Sequence, residues 1–277
     1  MKRKMFLQSV LVAVAVSTVV AASGCGEPST SVGAQVVAEM EPVQEFYELR
    51  AYRIEDLERQ RVVLGYLENG LVPALNRAGI DRVGIFSVRE AEDEPLDLSI
   101  YAIIPYPSAD AFVGIRPLLE TDEAYLEASV EIYAQAKETP AYTRVESWFM
   151  KAFTGMPVLE LPSQTAAGEP RVFEVRVYES RNAEMARAKI DMFNSGEIQI
   201  MRDVKLAPLL FGETLIGNNV PNLTYILSAP DMESHREHWQ AFGAHPEWKR
   251  MREMPKYQGT VSGIVNYFLV PTEFSQI

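Results

Sequence analysis

The chain has 277 residues, 47% of them hydrophobic, and 38 acidic side chains against 26 basic ones for a formal net charge of −12. That length accommodates one large domain or two small ones, with enough apolar residues for a core. The acidity argues against a nucleic-acid binder, whose affinity rests on Lys and Arg displacing counterions, and against electrostatic adhesion to anionic lipid.

The amino terminus opens with Lys2, Arg3 and Lys4, followed by an apolar stretch from Met5 to about Ala22 and then Ala22-Ser23-Gly24-Cys25. A basic start, a short apolar run and small residues predict a secretory signal over residues 1–24. The run is too short and too rich in Ala and Val for a comfortable membrane span. Small-Ser-Gly-Cys resembles the bacterial lipoprotein cleavage box, although Ala22 stands where Leu is commoner. The resemblance implies that Cys25 is lipidated and anchors the protein to a membrane. Ordinary cleavage near Ala22, leaving a free thiol, is the other reading. Cys25 is the only cysteine, so no intramolecular disulfide can form, and the body has no thiol for catalysis. Gly26 is not the Asp of an inner-membrane retention signal, which favours the outer membrane in a cell that has two. Residues 25–43 read as a lipid-anchored flexible tether.

Residues 46–52, FYELRAY, alternate apolar and ionic side chains as a half-buried strand does. Glu55 to Arg77 carries Leu57, Leu64, Leu67, Leu71 and Leu75 at helical spacing, with Gly70 and Pro73 bending or dividing the helix and Gly79 stopping it. Residues 80–90 and 97–105 read as strands, 108–118 and 121–137 as helices, and 144–153 as a fourth strand. Residues 154–170, rich in Gly, Pro, Ser and Ala, read as a linker.

The order then recurs. VFEVRVY at 172–178 repeats the first strand's pattern, setting Glu174, Arg176 and Tyr178 where Glu48, Arg50 and Tyr52 stood. Helices are predicted over 181–193 and 196–204, strands over 208–216 and 222–229, and a helix capped by Asp231 that stops at Gly243. Pro246 begins a further short helix, and 261–270 is the last strand. The halves, 44–153 and 171–277, are each β-α-β-β-α-β, the ferredoxin-like order in which helices cover one face of an antiparallel sheet. The fold class expected is α+β: two ferredoxin-like units that close over each other's open faces as a pseudo-symmetric dimeric α+β barrel within one chain.

FEVRVY (173–178), KIDMFNSGEIQIMRD (189–203), LLFGETLIGNNVPNLTYIL (209–227) and HWQAFGAHPEWKRM (238–251) resemble a bacterial NIPSNAP domain across nearly the whole second half. YELRAY, residues 69–88 and LSIYAII (98–104) match more loosely in the first. The resemblance implies a dimeric α+β barrel built from tandem halves. It supplies no settled chemistry. Relatives by fold include cofactor-free monooxygenases and haem-handling enzymes, an analogy of architecture only.

The candidate ligand-binding residues are Arg50, Tyr52, Glu174, Arg176, Tyr178, Glu213 and Asn218. In one reading Glu48–Arg50 and Glu174–Arg176 are structural pairs inside or at the rim of the barrel. In the other, an Arg holds an anionic or carbonyl group and a Tyr donates a proton. Gly212 and Gly217 frame Glu213, where a bulge would open a pocket beside Asn218, unless the Asn side chains, Asn222 included, only satisfy a turn. Glu197 lies in the same matching stretches. His235 and His238 share a helix face, but no carboxylate stands at a metal-ligand spacing, so no metal or other cofactor is expected. His245 reads as a helix cap, and Trp239, Phe242 and Trp248 as packing residues. The partners expected are an unidentified small molecule held in the barrel or an envelope protein, with a homo-oligomer open. A cofactor-independent monooxygenase or isomerase with an Arg/Tyr/Glu-lined cavity is the alternative.

Overall fold

The computed structural model describes residues 43–91 and 95–277. The predicted signal, Cys25 and nearly all of the tether lie outside the described residues. Eight strands form the body: β1 Phe46–Arg53, β2 Gly84–Val88, β3 Ile100–Tyr106, β4 Arg144–Ala152, β5 Val172–Glu179, β6 Ala207–Ile216, β7 Asn222–Ala229 and β8 Gly263–Pro271. They close into one barrel in the order β1-β3-β2-β8-β5-β7-β6-β4, and every pairing is antiparallel. Within each half the order is the ferredoxin-like one, and the halves join edge to edge through β2–β8 and β4–β6. Closure leaves no unpaired sheet edge among the described residues.

The helices lie outside: α1 Leu57–Tyr66, α2 Val72–Arg77, α3 Ala109–Leu119, α4 Glu123–Ala128, α5 Val130–Tyr133, α6 Ser163–Ala167, α7 Ala183–Met192, α8 Ile198–Asp203, α9 Met232–Ala244 and α10 Pro246–Arg252. Three apolar cores result. Tyr47, Leu49 and Ala51 of β1 meet Phe173 and Val175 of β5, with Phe86, Ile103, Met150, Leu210, Ile226 and Leu269, inside the barrel. The other two cores lie between sheet and helices, one per half, around Tyr52, Leu67 and Tyr106 and around Tyr178, Phe193 and Tyr225. Fully burying a large apolar side chain contributes about 1.5–3 kcal/mol. Neither half alone can keep its lumen face out of water, so the halves depend on each other.

The repeat is ungapped along the first strand and helix of each half. One residue spacing relates Glu48 to Glu174, Tyr52 to Tyr178, Asp56 to Asn182, Gly70 to Gly196 and Gly79 to Lys205. Asp56 and Asn182 cap their helices by accepting from Arg59 N and Met185 N, each at 2.9 Å. Gly79 and Lys205 both turn the chain at positive φ, 81° and 64°. Between α1 and α2 the rod continues through a π-helical turn, Leu67–Leu71, whereas the matching turn between α7 and α8, Phe193–Glu197, is kinked at Gly196. The bend expected at Gly70 and Pro73 is therefore an added residue in the helix, and the two helices expected over 181–204 are two, divided by that kink at Gly196 (φ 156°, ψ −24°). The helix expected over 121–137 is two short ones. Gly243 lies inside α9. The helix ends because Pro246 forces His245 into extended backbone (φ −61°, ψ 129°).

Residues 153–171 join the halves and are more than a linker. Phe153, Met156 and Leu159 are buried, and Leu159 reaches the barrel core. Composition could not show this, because these apolar side chains follow neither helical nor strand periodicity.

Candidate functional site

The barrel has one sealed end. Arg82 donates to the Glu45 carboxylate and, at 2.9 Å, to Leu159 O, while Leu159 N donates to Glu45 at 2.8 Å. The last residues close the remaining gap. Gln276 bonds the Val83 backbone in both directions, and Arg171 donates to Ile277 O at 2.6 Å. The Ile277 side chain is buried in the barrel core. A Cβ on Gly84 would lie 2.5 Å from Phe86 Cε2 and 2.7 Å from Ile277 Cδ1, so the absent side chain leaves the space that Phe86 and Ile277 fill.

The opposite end is open. A cavity of about 280 Å³ enters the lumen where β1, β4, β5 and β8 present Leu49, Arg53, Glu146, Trp148, Val177, Glu179 and Val265, with Tyr101, Tyr267 and the β6–β7 hairpin residues Asn218, Asn219 and Asn222 also lining it. Alternation along each strand carries apolar lumen residues into this polar ring at the strand ends. Arg53 donates to Glu146 Oε2 through Nε (2.8 Å) and Nη2 (2.6 Å), and to the Tyr101 hydroxyl through Nη1 (2.9 Å). Tyr101 packs on Tyr267 with ring centroids 5.0 Å apart. Burial pushes both phenols up, so each is neutral at physiological pH. Asn219 Nδ2 donates to Glu179 Oε1 (2.9 Å), and Asn222 Nδ2 donates to the backbone oxygens of Asn218 and Asn219 (2.8 and 2.9 Å). Asn222 Oδ1 is buried without a partner. The rim exposes Val145, Ile216, Val220 and Ile264.

Of the residues expected to bind a ligand, only Asn218 lines this mouth. Arg50, Tyr52, Glu174, Arg176 and Tyr178 point the other way, under the helices. Glu48 is held by Arg50 (2.9 and 2.8 Å), Ser147 (2.7 Å) and Tyr106 (3.2 Å). Its equivalent Glu174 is held by Arg176 (2.8 Å), His235 (3.0 Å), Trp239 (2.9 Å) and Asn266 (3.2 Å). Burial pushes the Glu174 pKa up, but the His235 bond, the Arg176 charge and the Trp239 bond outweigh it and hold it below the ordinary value. The Arg176 guanidinium lies 4.7 Å from the Trp239 ring centroid. This geometry ties α9 to the sheet, and it lies beneath the helices rather than inside or at the rim of the barrel. Glu213 also faces away from the lumen, opposite Lys151. Gly217 is close to the Trp148 ring, where a Cβ would collide, so Trp148 rather than a pocket at Glu213 requires that glycine.

The shared face of His235 and His238 does not make a pair. His235 turns to Glu174, and His238 borders a surface groove with Lys205 and Arg202. Burial lowers the His238 pKa, with Lys205 adding to the effect. His245 sits at the N-cap of α10 but makes no capping bond. Among the described residues no group of three His, Cys, Asp or Glu is placed to hold a metal ion, and no helix is long and apolar enough to cross a membrane. Lys189 and Glu197 form an ion pair at 2.6 Å, with side chains 5% and 2% exposed. The pairing of Lys189 with Glu197 was not legible in the pattern, and neither were the mouth residues Arg53, Glu146 and Tyr267. Arg53 continues the alternation of β1 one step past Ala51, and that is the only signal it left.

Residues 173–276 match the NIPSNAP family model. No curated protein matches the chain. Among solved structures, a candidate monooxygenase from Lactobacillus acidophilus NCFM is 11% identical, with 82% of this chain and 94% of that one covered and a TM-score of 0.53. A candidate monooxygenase from Fusobacterium nucleatum subsp. nucleatum is 11% identical over 83% and 93%, with a TM-score of 0.50. An uncharacterized NIPSNAP-like domain protein from Burkholderia xenovorans is 25% identical over 38% of this chain and 88% of its own, with a TM-score of 0.35. At such identities the two longer matches share the fold alone. Residues 173–276 of this chain therefore match a NIPSNAP domain, a span of less than half its length.

Proposed function

We propose that this is a cell-envelope lipoprotein, anchored through Cys25, whose barrel holds a small, partly apolar molecule in its open mouth. The observation that carries the reading is the asymmetry of the lumen: one end is plugged by Leu159 and Ile277, and the other opens as a cavity of about 280 Å³ with aromatic and aliphatic walls and a few convergent polar groups. That combination is what small-molecule sites share, at the lower edge of their usual size. Apolar residues on the rim favour entry of an apolar body from outside.

Two experiments test this. Native mass spectrometry of protein extracted from membranes should show a retained small molecule, and Val265→Trp, which fills the cavity from an exposed position, should lose it with thermal stability unchanged. Retention of the same mass by Val265→Trp would place the ligand elsewhere. Cys25→Ala should release the protein from the membrane fraction, and continued membrane association would refute the anchor.

A further inference from the structure

Resting on the reading of the mouth as a ligand site, we propose that its ligand is an organic cation: a protonated amine carried on a small apolar body. The charges lining the cavity are one guanidinium, Arg53, against two carboxylates, Glu146 and Glu179. Arg53 is already committed. It donates twice to Glu146 and once to Tyr101, and its guanidinium carbon lies 5.5 Å from the Tyr101 ring centroid. The surplus charge is therefore that of Glu179.

Glu179 and Asn222 stand directly opposite each other across the β5–β7 pair. Asn219 occupies Glu179 Oε1. Beside Oε2 stands Gly263, where a Cβ would lie 3.1 Å away, so the missing side chain leaves that oxygen room for a guest. Asn222 is 3% exposed, and its Nδ2 is spent on the hairpin backbone while its Oδ1 has no partner. Two neighbouring acceptors, one of them charged, ask for a donor-only group. An ammonium has three donors and no acceptor, whereas a carboxylate or a carbonyl has only acceptors. The walls agree with this. Trp148, Tyr101 and Tyr267 present aromatic surface, whose faces attract cations. The amine would sit between Glu179 and Asn222, with its apolar body against Trp148, Val177 and Val265. This reverses the expectation that an Arg in the barrel would hold an anionic or carbonyl group.

The test is calorimetric titration with three probes that share one ring and a short chain: phenethylammonium, 2-phenylethanol and phenylacetate. Phenethylammonium should bind about tenfold more tightly than the alcohol, and phenylacetate should bind least. Glu179→Gln should remove about tenfold of the ammonium affinity and leave the alcohol unchanged, because only the charge is lost. The chain's net charge of −12 attracts cations generally. Val265→Trp keeps that charge and should abolish binding, which separates the site from the general field. Phenylacetate binding as tightly as phenethylammonium, or ammonium binding indifferent to Glu179→Gln, overturns the assignment of charge while the mouth stands as a site. Failure of all three probes to bind overturns both.

Discussion

The duplication supplies its own control for the buried pair Lys189–Glu197. By the spacing that relates the halves, Val63 and Leu71 hold the corresponding places in the first half, and both are buried. In the second half the ammonium lies 2.6 Å from Glu197 Oε2, with the Phe193 ring centroid at 4.4 Å, Tyr178 at 5.5 Å and Trp248 at 5.6 Å. Burial raises the Glu197 pKa even though Lys189 pulls it down. Removing one partner strands the other in an apolar layer, so Lys189→Val or Glu197→Leu alone should cost about 3–5 kcal/mol, roughly a 6–20 °C fall in Tm for a domain of this size. Restoring the first-half pattern with both changes together should be neutral or stabilising by about 1–4 kcal/mol, because desolvation of both charges is then avoided. Urea unfolding of the four proteins closes the cycle and should give a coupling above about 3 kcal/mol. The single Lys189→Val variant adds a pH arm. A carboxylate whose folded pKa is raised costs nothing below its unfolded value near 4.3, and the cost grows as pH rises towards the folded pKa, so the deficit should shrink on acidification. A double variant as unstable as either single, or a single variant within about 1 kcal/mol of the parent, would refute the reasoning.

Glu174 titrates with the opposite sign. Its folded pKa is depressed, so its stabilising contribution is complete above about pH 4.3 and disappears as pH falls from there through the folded value. Glu174→Gln should flatten that part of the acid-unfolding curve, and an unchanged curve would show that the bonds to His235 and Trp239 contribute nothing. Deleting residues 275–277 removes the Ile277 plug and should cost about 2–5 kcal/mol in denaturant titration, as for other fully buried aliphatic side chains. Gly217→Ala should push Trp148 from its place and shift its fluorescence with a stability cost of about 1–3 kcal/mol, while Gly114→Ala, with open space around it, should do neither.

The barrel was legible because its determinants are local. Period-two strands, the capping residue Asp231 and the recurrence of Glu-x-Arg-x-Tyr are local signals, and the order of elements then leaves few topologies. The cap expected at Asp231 formed, accepting from Ser234 N, and Asp122 caps its helix in the same way, accepting from Tyr125 N. What alternation cannot say is which face of a strand looks inward. Both faces of β1 and β5 are covered, one by the opposite half and one by helices, so Glu48, Arg50 and Tyr52 satisfied the same pattern whichever way they turned. Tertiary closure decided that the ionic rows lie beneath the helices and the lumen is apolar. It also decided the site. Arg53 meets Glu146 and Tyr101, and Glu179 meets Asn222, across strands far apart in sequence. Such convergence depends on the register of eight strands around a closed ring, a long-range property that no short window of sequence carries.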